Sequence, residues 1–125
     1  MEDSKRSLRV LVVDDEPLLL ELLVRDAQEL GYDAQGASSG VEAWMVLSTE
    51  PIDILLSDIR MPEGDGVSLI KKIRESVEIN PVVLMMSGFA DVDRPLLMEY
   101  GALDILEKPF DFEKLKNALQ RARSK

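Results

Sequence analysis

Five short apolar segments alternate along the chain with longer segments whose apolar residues recur at helical spacing, and this alternation restricts the fold most strongly. The third and fourth segments are apolar throughout, which is typical of parallel strands covered on both faces. We therefore predict an α/β fold with one parallel sheet. The predicted strands are 8–13, 32–37, 52–57, 81–87 and 102–108, and the predicted helices are 17–30, 39–48, 65–76, 93–101 and 111–122.

The ends of the predicted helices carry capping signals. Ser39 and Glu42 form a capping-box pattern at the start of the second helix. Gly31 and Gly101 are expected to end the first and fourth helices, because glycine adopts the positive φ that is common beyond a helix C-terminus. In the last helix we expect three residues to face the core: Phe112, Leu115 and Leu119.

Polar side chains stand at the ends of four predicted strands. The first strand is followed by Asp14 and Asp15, the third by Asp58, and the fifth ends in Lys108, while the fourth ends in Ser87. The C-terminal ends of parallel strands in such a fold share the edge of the sheet where ligands bind. Any one of these residues is more often a cap, turn or surface residue, so the prediction of a shared site depends on their coincidence.

The predicted cluster has a definite chemistry. Three carboxylates close together repel one another and raise a pKa, and a hard divalent cation relieves that repulsion. Mg²⁺ prefers oxygen ligands and needs only a few of them from protein. Lys108 and Ser87 suit phosphoryl oxygens. Asp58, on a central strand, is the expected nucleophile, and its product would be an acyl phosphate.

Composition excludes several other chemistries. The chain contains no His and no Cys, so an imidazole base, a thiol nucleophile and His or Cys metal ligands are excluded. Its net charge of −9, from 15 basic and 24 acidic residues, would repel nucleic acid and anionic membranes. The basic runs at 71–74 and 121–125 are short, so we expect solvated surfaces and neither a direct nucleic-acid partner nor a membrane.

The expected organisation is one domain. The first residues lack the apolar centre of a signal peptide, so we expect a flexible leader at 1–7, a domain at 8–123 and a tail at 124–125, in the cytoplasm. Whether the chain is a stand-alone protein or a fragment of a longer one stays open.

Four motifs, in order, are "VLVVDDEP", "LLSDIRMPEGDG", "MMSG" and "LEKPF". At these residues the sequence resembles the receiver domain of bacterial two-component response regulators. The resemblance covers the chain from about Leu8 to Ala122. It implies a flavodoxin-like, doubly wound (βα)5 fold with the strand order 2-1-3-4-5 and helices on both faces.

The resemblance also implies roles for individual residues. Asp58 accepts a phosphoryl group, Ser87 hydrogen-bonds it, and Lys108 pairs with it. Mg²⁺ is the implied cofactor, and its implied ligands are Asp14, Asp15, Asp58 and the backbone carbonyl of Arg60. The chain is then a signalling phosphoacceptor that supports only its own phosphorylation and dephosphorylation, rather than an enzyme.

The implied partners act before and after that reaction. A sensor histidine kinase or a phosphotransfer protein supplies the phosphoryl group from a phosphohistidine. Phosphorylation adds about −1.5 to −2 charges. Ser87 then moves, and the face built from the fourth helix, fifth strand and fifth helix rearranges to regulate a downstream effector or a fused output domain. A homodimer, if one forms, is expected to use the same face.

Two positions distinguish this chain from its apparent relatives. Ile105 stands where the family usually has Tyr or Phe, a ring that swings inward on activation. A branched aliphatic side chain cannot do so, and we expect the fourth helix to carry more of the change. Arg60 and Phe89 would flank the approach of water to the phosphate, and we expect this pair to set the lifetime of the acyl phosphate.

Three alternative functions follow from the same features. A Mg²⁺-dependent aspartyl-phosphate phosphatase typically has a second Asp two positions after the nucleophile, where this chain has Arg60. A flavin-binding module would need a Gly-, Ser- or Thr-rich phosphate loop after the first strand, where this chain has "DDEPLL". A receiver that only docks, without phosphorylation, would not need the intact acidic set.

Overall fold

The computed structural model describes residues 7–61, 65–88 and 94–125. They form one parallel five-stranded sheet in the order β2-β1-β3-β4-β5, with a helix after each strand. The strands are β1 (Arg9–Val13), β2 (Asp33–Ala37), β3 (Ile54–Asp58), β4 (Val82–Ser87) and β5 (Ala102–Glu107). The helices are α1 (Pro17–Glu29), α2 (Gly40–Thr49), α3 (Gly66–Glu75), α4 (Arg94–Glu99) and α5 (Phe112–Arg123). The predicted fold class and strand order are confirmed.

Both faces of the sheet are buried, as the continuous apolar strands predicted. Along β1, Val10 and Val12 pack with α1 and α5 on one face, whereas Leu11 and Val13 pack with α2, α3 and α4 on the other. All five residues of β3 are buried, because this strand lies between β1 and β4 in the middle of the sheet. The side chain at its C-terminal end, Asp58, is therefore held at the centre of the sheet edge.

One of the two hydrogen bonds of the predicted capping box at the start of α2 is present, and the other is replaced by bonds to the preceding residue. The Ser39 hydroxyl accepts a hydrogen bond from the backbone N–H of Glu42 at 3.1 Å, as expected for an N-cap. The Glu42 carboxylate accepts from the backbone N–H of Ser38 at 2.7 Å and from its hydroxyl at 2.8 Å. The pKa of Glu42 is lowered because these bonds, first the one from the backbone N–H of Ser38, stabilise the charged form.

Some predicted boundaries and orientations differ. Gly31 and Gly101 have the expected positive φ, but α4 ends at Glu99, before the predicted end at 101. Phe112 was expected in the core and is 40% exposed, so that prediction is wrong. Phe112 is the first residue of α5, directly after its cap Asp111, whereas the buried stripe of that helix begins at Leu115.

Several expectations concern residues outside the described part of the chain. These are most of the leader at 1–7, the beginning of the predicted fourth helix, and Phe89. Within 7–61, 65–88 and 94–125, every helix is too short or too polar to cross a membrane.

Candidate functional site

The C-terminal edge of the sheet gathers the polar residues named from the sequence. Asp14 follows β1 directly, Asp58 is the last residue of β3, Ser87 is the last residue of β4, and Lys108 follows β5. The side chains are almost fully buried, with exposed fractions of 0% for Asp14, 2% for Ser87 and 7% for Asp58. The site is therefore recessed below the protein surface. Four separate strands thus bring these side chains into one region.

Three carboxylates of this site lie close enough to share a cation. One oxygen from each of Asp14, Asp15 and Asp58 lies within 4.8 Å of the other two. Asp14 and Asp58 are buried, whereas Asp15 is exposed, so the cluster opens to solvent on one side. An all-oxygen cluster of this kind fits a hard divalent cation such as Mg²⁺.

Lys108 joins two of the three carboxylates. Its ammonium donates to Oδ2 of Asp14 at 2.9 Å and to Oδ2 of Asp58 at 3.1 Å. The backbone N–H of Lys108 donates to the carbonyl of Ser87 at 2.7 Å, and the Lys108–Pro109 peptide bond is cis. The lysine is thereby attached to β4 by its backbone while its side chain reaches across β3 to β1.

The pKa values at the site follow from burial and charge. Burial raises the pKa of Asp58, and the nearby charge of Asp14 raises it further, although Lys108 opposes both effects. Burial by itself would lower the pKa of Lys108, but its hydrogen bonds to Asp14 and Asp58 outweigh that effect, so the pKa is raised. Lys108 therefore remains a cation beside the cluster of three carboxylates. The site attracts further positive charge.

Asp14 is also oriented from its own side of the site. Its Oδ1 accepts a hydrogen bond from the backbone N–H of Glu16 at 2.9 Å, and its backbone N–H donates to the carbonyl of Ala37 at 3.2 Å. The two oxygens of the Asp14 carboxylate consequently have different partners, the start of α1 for Oδ1 and Lys108 for Oδ2.

Arg60 lies two residues beyond Asp58 and has an exposed side chain. The intervening Ile59 is attached to β4 through a 3.0 Å hydrogen bond from its N–H to the carbonyl of Met86. This bond continues the pairing of β3 with β4 past Asp58 and fixes the direction in which the chain leaves the site. Phe89, the other residue predicted to flank the phosphate, is outside the described residues.

Sequence reasoning assigned no role to two residues that contact the backbone of Asp58. The buried hydroxyl of Ser57 donates to the Asp58 carbonyl at 2.9 Å, and Gly66 at the start of α3 lies against the same carbonyl. Both residues lie inside the motif "LLSDIRMPEGDG" that carries the family resemblance, but the motif by itself does not show that they contact the Asp58 carbonyl.

Comparison with known proteins gives consistent results along most of the chain. Residues 10–120 match the family model described as "Response regulator receiver domain". The sensor histidine kinase RcsC of Salmonella typhi is 38% identical over 117 residues, which cover 94% of this chain and 12% of RcsC. The chain spans less than half the length of the first curated relatives that it matches, from 12% to 42%.

Two solved structures illustrate the similarity of the fold. A putative response regulator from Chloroflexus aurantiacus superposes with a TM-score of 0.88 at 28% identity, covering 96% of this chain and 100% of the other. The response regulator protein TrrA from Thermotoga maritima, in complex with Mg(2+)-BeF, superposes with a TM-score of 0.82 at 30% identity, covering 92% and 98% of the two chains.

Proposed function

This chain belongs to the response regulator receiver domain family, and we propose that Asp58 is its phosphoacceptor, receiving a phosphoryl group from a phosphohistidine of a partner protein. One observation carries this proposal. The Asp58 carboxylate lies at the C-terminal end of the central strand, close to two further carboxylates, and accepts a hydrogen bond from the partly buried ammonium of Lys108. A carboxylate in this setting can act as a nucleophile whose product is surrounded by charge-neutralising groups.

The proposed step is a single in-line transfer. A carboxylate oxygen of Asp58 attacks phosphorus and forms the O–P bond, while the N–P bond to the donor imidazole breaks. The imidazole nitrogen retains the electron pair of the broken bond, and with a proton on its other ring nitrogen the donor leaves as neutral imidazole, so no acid is required from this chain. Little covalent work is required of the acceptor domain, so its contribution is positioning and neutralisation of charge. The absence of His from this chain is compatible with a histidine that belongs to the donor.

The donor set of the site fits Mg²⁺. The ion would be held by the carboxylates of Asp14, Asp15 and Asp58 and by the backbone carbonyl of Arg60. The similar structure of TrrA, which was solved in complex with Mg(2+)-BeF, supports this choice of metal. When bound, the ion neutralises charge on the carboxylates and on the phosphoryl oxygens. Asp14, which is fully buried and oriented by the N–H of Glu16, would be the best-fixed ligand.

Lys108 and Ser87 would receive the phosphoryl group. The ammonium of Lys108 is already within 3.1 Å of Asp58 and would exchange one carboxylate contact for a phosphoryl oxygen. Ser87 ends the strand beside β3 and would supply its hydroxyl. The added charge of about −1.5 to −2 would then favour a different packing of α4, β5 and α5.

Ile105 bears on how that face would change. It is 7% exposed and packs in the same core as Leu97 of α4. The position therefore already holds an inward aliphatic side chain, which supports a switch in which α4 moves rather than one in which a ring rotates. A homodimer through α4, β5 and α5 remains part of this proposal.

The partner is proposed to be a sensor histidine kinase or a phosphotransfer protein, with a downstream effector or fused output domain receiving the signal. An apolar groove between α1 and α5 opens beside Lys108 and Pro109. On α1, Leu18 is 82% exposed and Leu22 is 49% exposed at the same side of the helix. These features support docking of an amphipathic surface of the phosphohistidine-bearing partner in this groove, next to the Asp58 carboxylate. We further propose a cytoplasmic location and a domain spanning 8–123.

The proposal is tested with a small phosphodonor such as acetyl phosphate and Mg²⁺. The intact mass of the wild-type protein should increase by one phosphoryl group, and Asp58→Asn should abolish the increase. Asp33→Asn is the matched control, because Asp33 is an exposed acid at the opposite end of the sheet, at the start of β2. Phosphorylation that persists in Asp58→Asn would contradict the assignment, as would no phosphorylation of the wild type.

The phosphatase alternative is separated by turnover. A phosphatase would release phosphate repeatedly from a small phosphate ester, whereas a phosphoacceptor consumes at most one donor per slow cycle of its own dephosphorylation. Arg60 occupies the position where the phosphatase needs an acid, and a guanidinium cannot serve as the acid and base. We therefore expect no catalytic release from such esters.

A further inference from the structure

We propose that Gly66 and Ser57 are positioning residues that hold the backbone of Asp58 in place for phosphoryl transfer. This inference rests on the proposed role of Asp58 as phosphoacceptor. Both residues contact the backbone carbonyl of Asp58 rather than its carboxylate, which is the reacting group.

Gly66 lies in contact with the acceptor's main chain. A Cβ atom added at Gly66 would lie 2.4 Å from the carbonyl oxygen of Asp58 and 3.0 Å from Cα of Ile59. Both are backbone atoms, so relief of the overlap requires the chain at 58–59 or the start of α3 to move. The third neighbour is Cε of Met85 at 2.6 Å, the end of a flexible side chain that can turn aside.

Hydrogen bonds attach the same piece of chain to its surroundings. The N–H of Gly66 donates to the carbonyl of Ile59 at 2.8 Å, and the N–H of Ile59 donates to the carbonyl of Met86 at 3.0 Å. The start of α3 is itself fixed by its cap Asp65, whose carboxylate accepts from the N–H of Ser68 at 2.9 Å. Residues 58–59 are therefore held between α3 and β4.

Ser57 contacts the same Asp58 carbonyl through its side chain. Its hydroxyl donates to that carbonyl at 2.9 Å and is fully buried. The Asp58 carbonyl therefore has a hydroxyl donor beside it and a glycine without a side chain against it. A buried hydroxyl would satisfy itself with any nearby acceptor, so the proposal depends on the coincidence of both contacts at one oxygen.

Displacement of this carbonyl would displace the carboxylate. The backbone and side chain of Asp58 share one Cα, and the side chain must keep its place beside Asp14 and Lys108. A misplacement of a reacting group by about 1 Å can reduce a reaction rate by about a hundredfold. Gly66→Ala should therefore slow phosphorylation far more than its effect on folding would explain.

The test compares phosphorylation rates by acetyl phosphate at saturating Mg²⁺ with urea unfolding of the same proteins. In Gly66→Ala the rate should fall by about tenfold or more. Gly36→Ala is the matched control, because the three atoms nearest to a Cβ there all belong to the flexible side chain of Leu20, at 3.0–3.2 Å. Its rate should remain within about twofold of the wild type.

Two further variants separate positioning from general packing. In Gly66→Ala/Met85→Leu the contact with the Met85 terminus is relieved while the backbone contact remains, so the rate should stay low. Ser57→Ala should slow the reaction by about threefold to tenfold, and Ser57→Thr, which keeps the hydroxyl on a β-branched side chain suited to a strand, should recover most of the loss.

The outcomes separate this inference from the proposed function. A wild type that accepts no phosphoryl group at Asp58 overturns the proposed function. A wild type that does so, with Gly66→Ala as fast as Gly36→Ala, overturns the positioning role alone. Recovery of the rate in Gly66→Ala/Met85→Leu would also overturn it, because the loss would then come from core packing. If Gly66→Ala does not fold, the Ser57 variants decide.

Discussion

The ammonium of Lys108 donates a 2.9 Å hydrogen bond to the fully buried carboxylate of Asp14, although the two residues are 94 positions apart in the sequence. The same ammonium reaches Asp58, 50 positions away, at 3.1 Å. One partly buried cation therefore ties the ends of β1 and β3 to the segment that follows β5. This contact links the charged groups at the edge of the sheet, and we expect Lys108 to matter for stability as well as for the proposed phosphoryl transfer.

Lys108→Met should lower the free energy of unfolding in the absence of metal by about 3 kcal/mol, because the change leaves buried carboxylates without their cation. Met preserves the length and apolar stem of the side chain. Urea denaturation measures the effect. Lys116→Met is the matched control, since Lys116 lies 3.8 Å from Glu113 with both side chains exposed, and its loss should cost less than about 1 kcal/mol. Equal effects of the two changes would contradict this account.

Glu42→Gln should reduce stability only above the range in which Glu42 titrates. The folded-state pKa of Glu42 is lowered from 4.5 by the hydrogen bonds from Ser38. A lowered folded pKa gives stability that is present above the unfolded value and is lost as the pH falls through the folded value. The difference between wild type and Glu42→Gln in urea unfolding should therefore be fully present near about pH 7 and should shrink as the pH falls below the unfolded value of 4.5.

The pH dependence of urea unfolding can also be measured for Ser38→Ala. This substitution removes the hydroxyl donor but leaves the backbone N–H donor to Glu42. The pH-dependent part of the stability should therefore shrink without disappearing. The effect is small because Glu42 is exposed and screened by solvent. A pH-independent difference between wild type and Glu42→Gln would mean that the hydrogen bonds are not the cause.

Asp104 and Arg121 should show a measurable coupling energy. Asp104 on β5 forms an ion pair with Arg121 of α5, and its other carboxylate oxygen lies 3.8 Å from Arg94 of α4. A double-mutant cycle with Asp104→Asn and Arg121→Gln should give about 0.5–1 kcal/mol, since the arginine is more than half exposed. The pair Glu113 and Lys116 provides the comparison within one helix. A coupling energy near zero for Asp104 and Arg121 would show that the crossing ion pair does not hold the face together.

Arg60→Ala should change the lifetime of the acyl phosphate. Arg60 is exposed two residues beyond Asp58, and in the proposed site its side chain flanks the approach of water. We expect a change of about threefold or more in the rate of dephosphorylation, with the rate of phosphorylation affected less, because removing the side chain alters water access rather than the nucleophile. Release of phosphate from the purified phosphorylated protein measures the first rate. Arg74→Ala on α3 is the control, and an Arg60→Ala protein with wild-type lifetime would refute the role.

The order of elements and the edge where the site lies followed from sequence alone. Strands such as Ile54–Asp58 are apolar throughout because they are covered on both faces, and that pattern is visible without coordinates. Parallel strands place their C-terminal ends together, so Asp14, Asp58 and Lys108 could be assigned to one edge. Strand order was different, because hydrophobic periodicity does not say which strands are neighbours, and the order 2-1-3-4-5 came from the family resemblance.

Only the tertiary structure decided which of these groups contact one another. It showed that Lys108 bonds both Asp14 and Asp58, that Glu42 turns to Ser38, and that Phe112 is exposed. It also brought Gly66 against the Asp58 carbonyl. These contacts depend on distances of a few tenths of an ångström and on the angle at which each helix meets the sheet. A pattern of residue types along the chain specifies which face a side chain occupies, whereas a contact requires the packing of segments that are far apart in sequence.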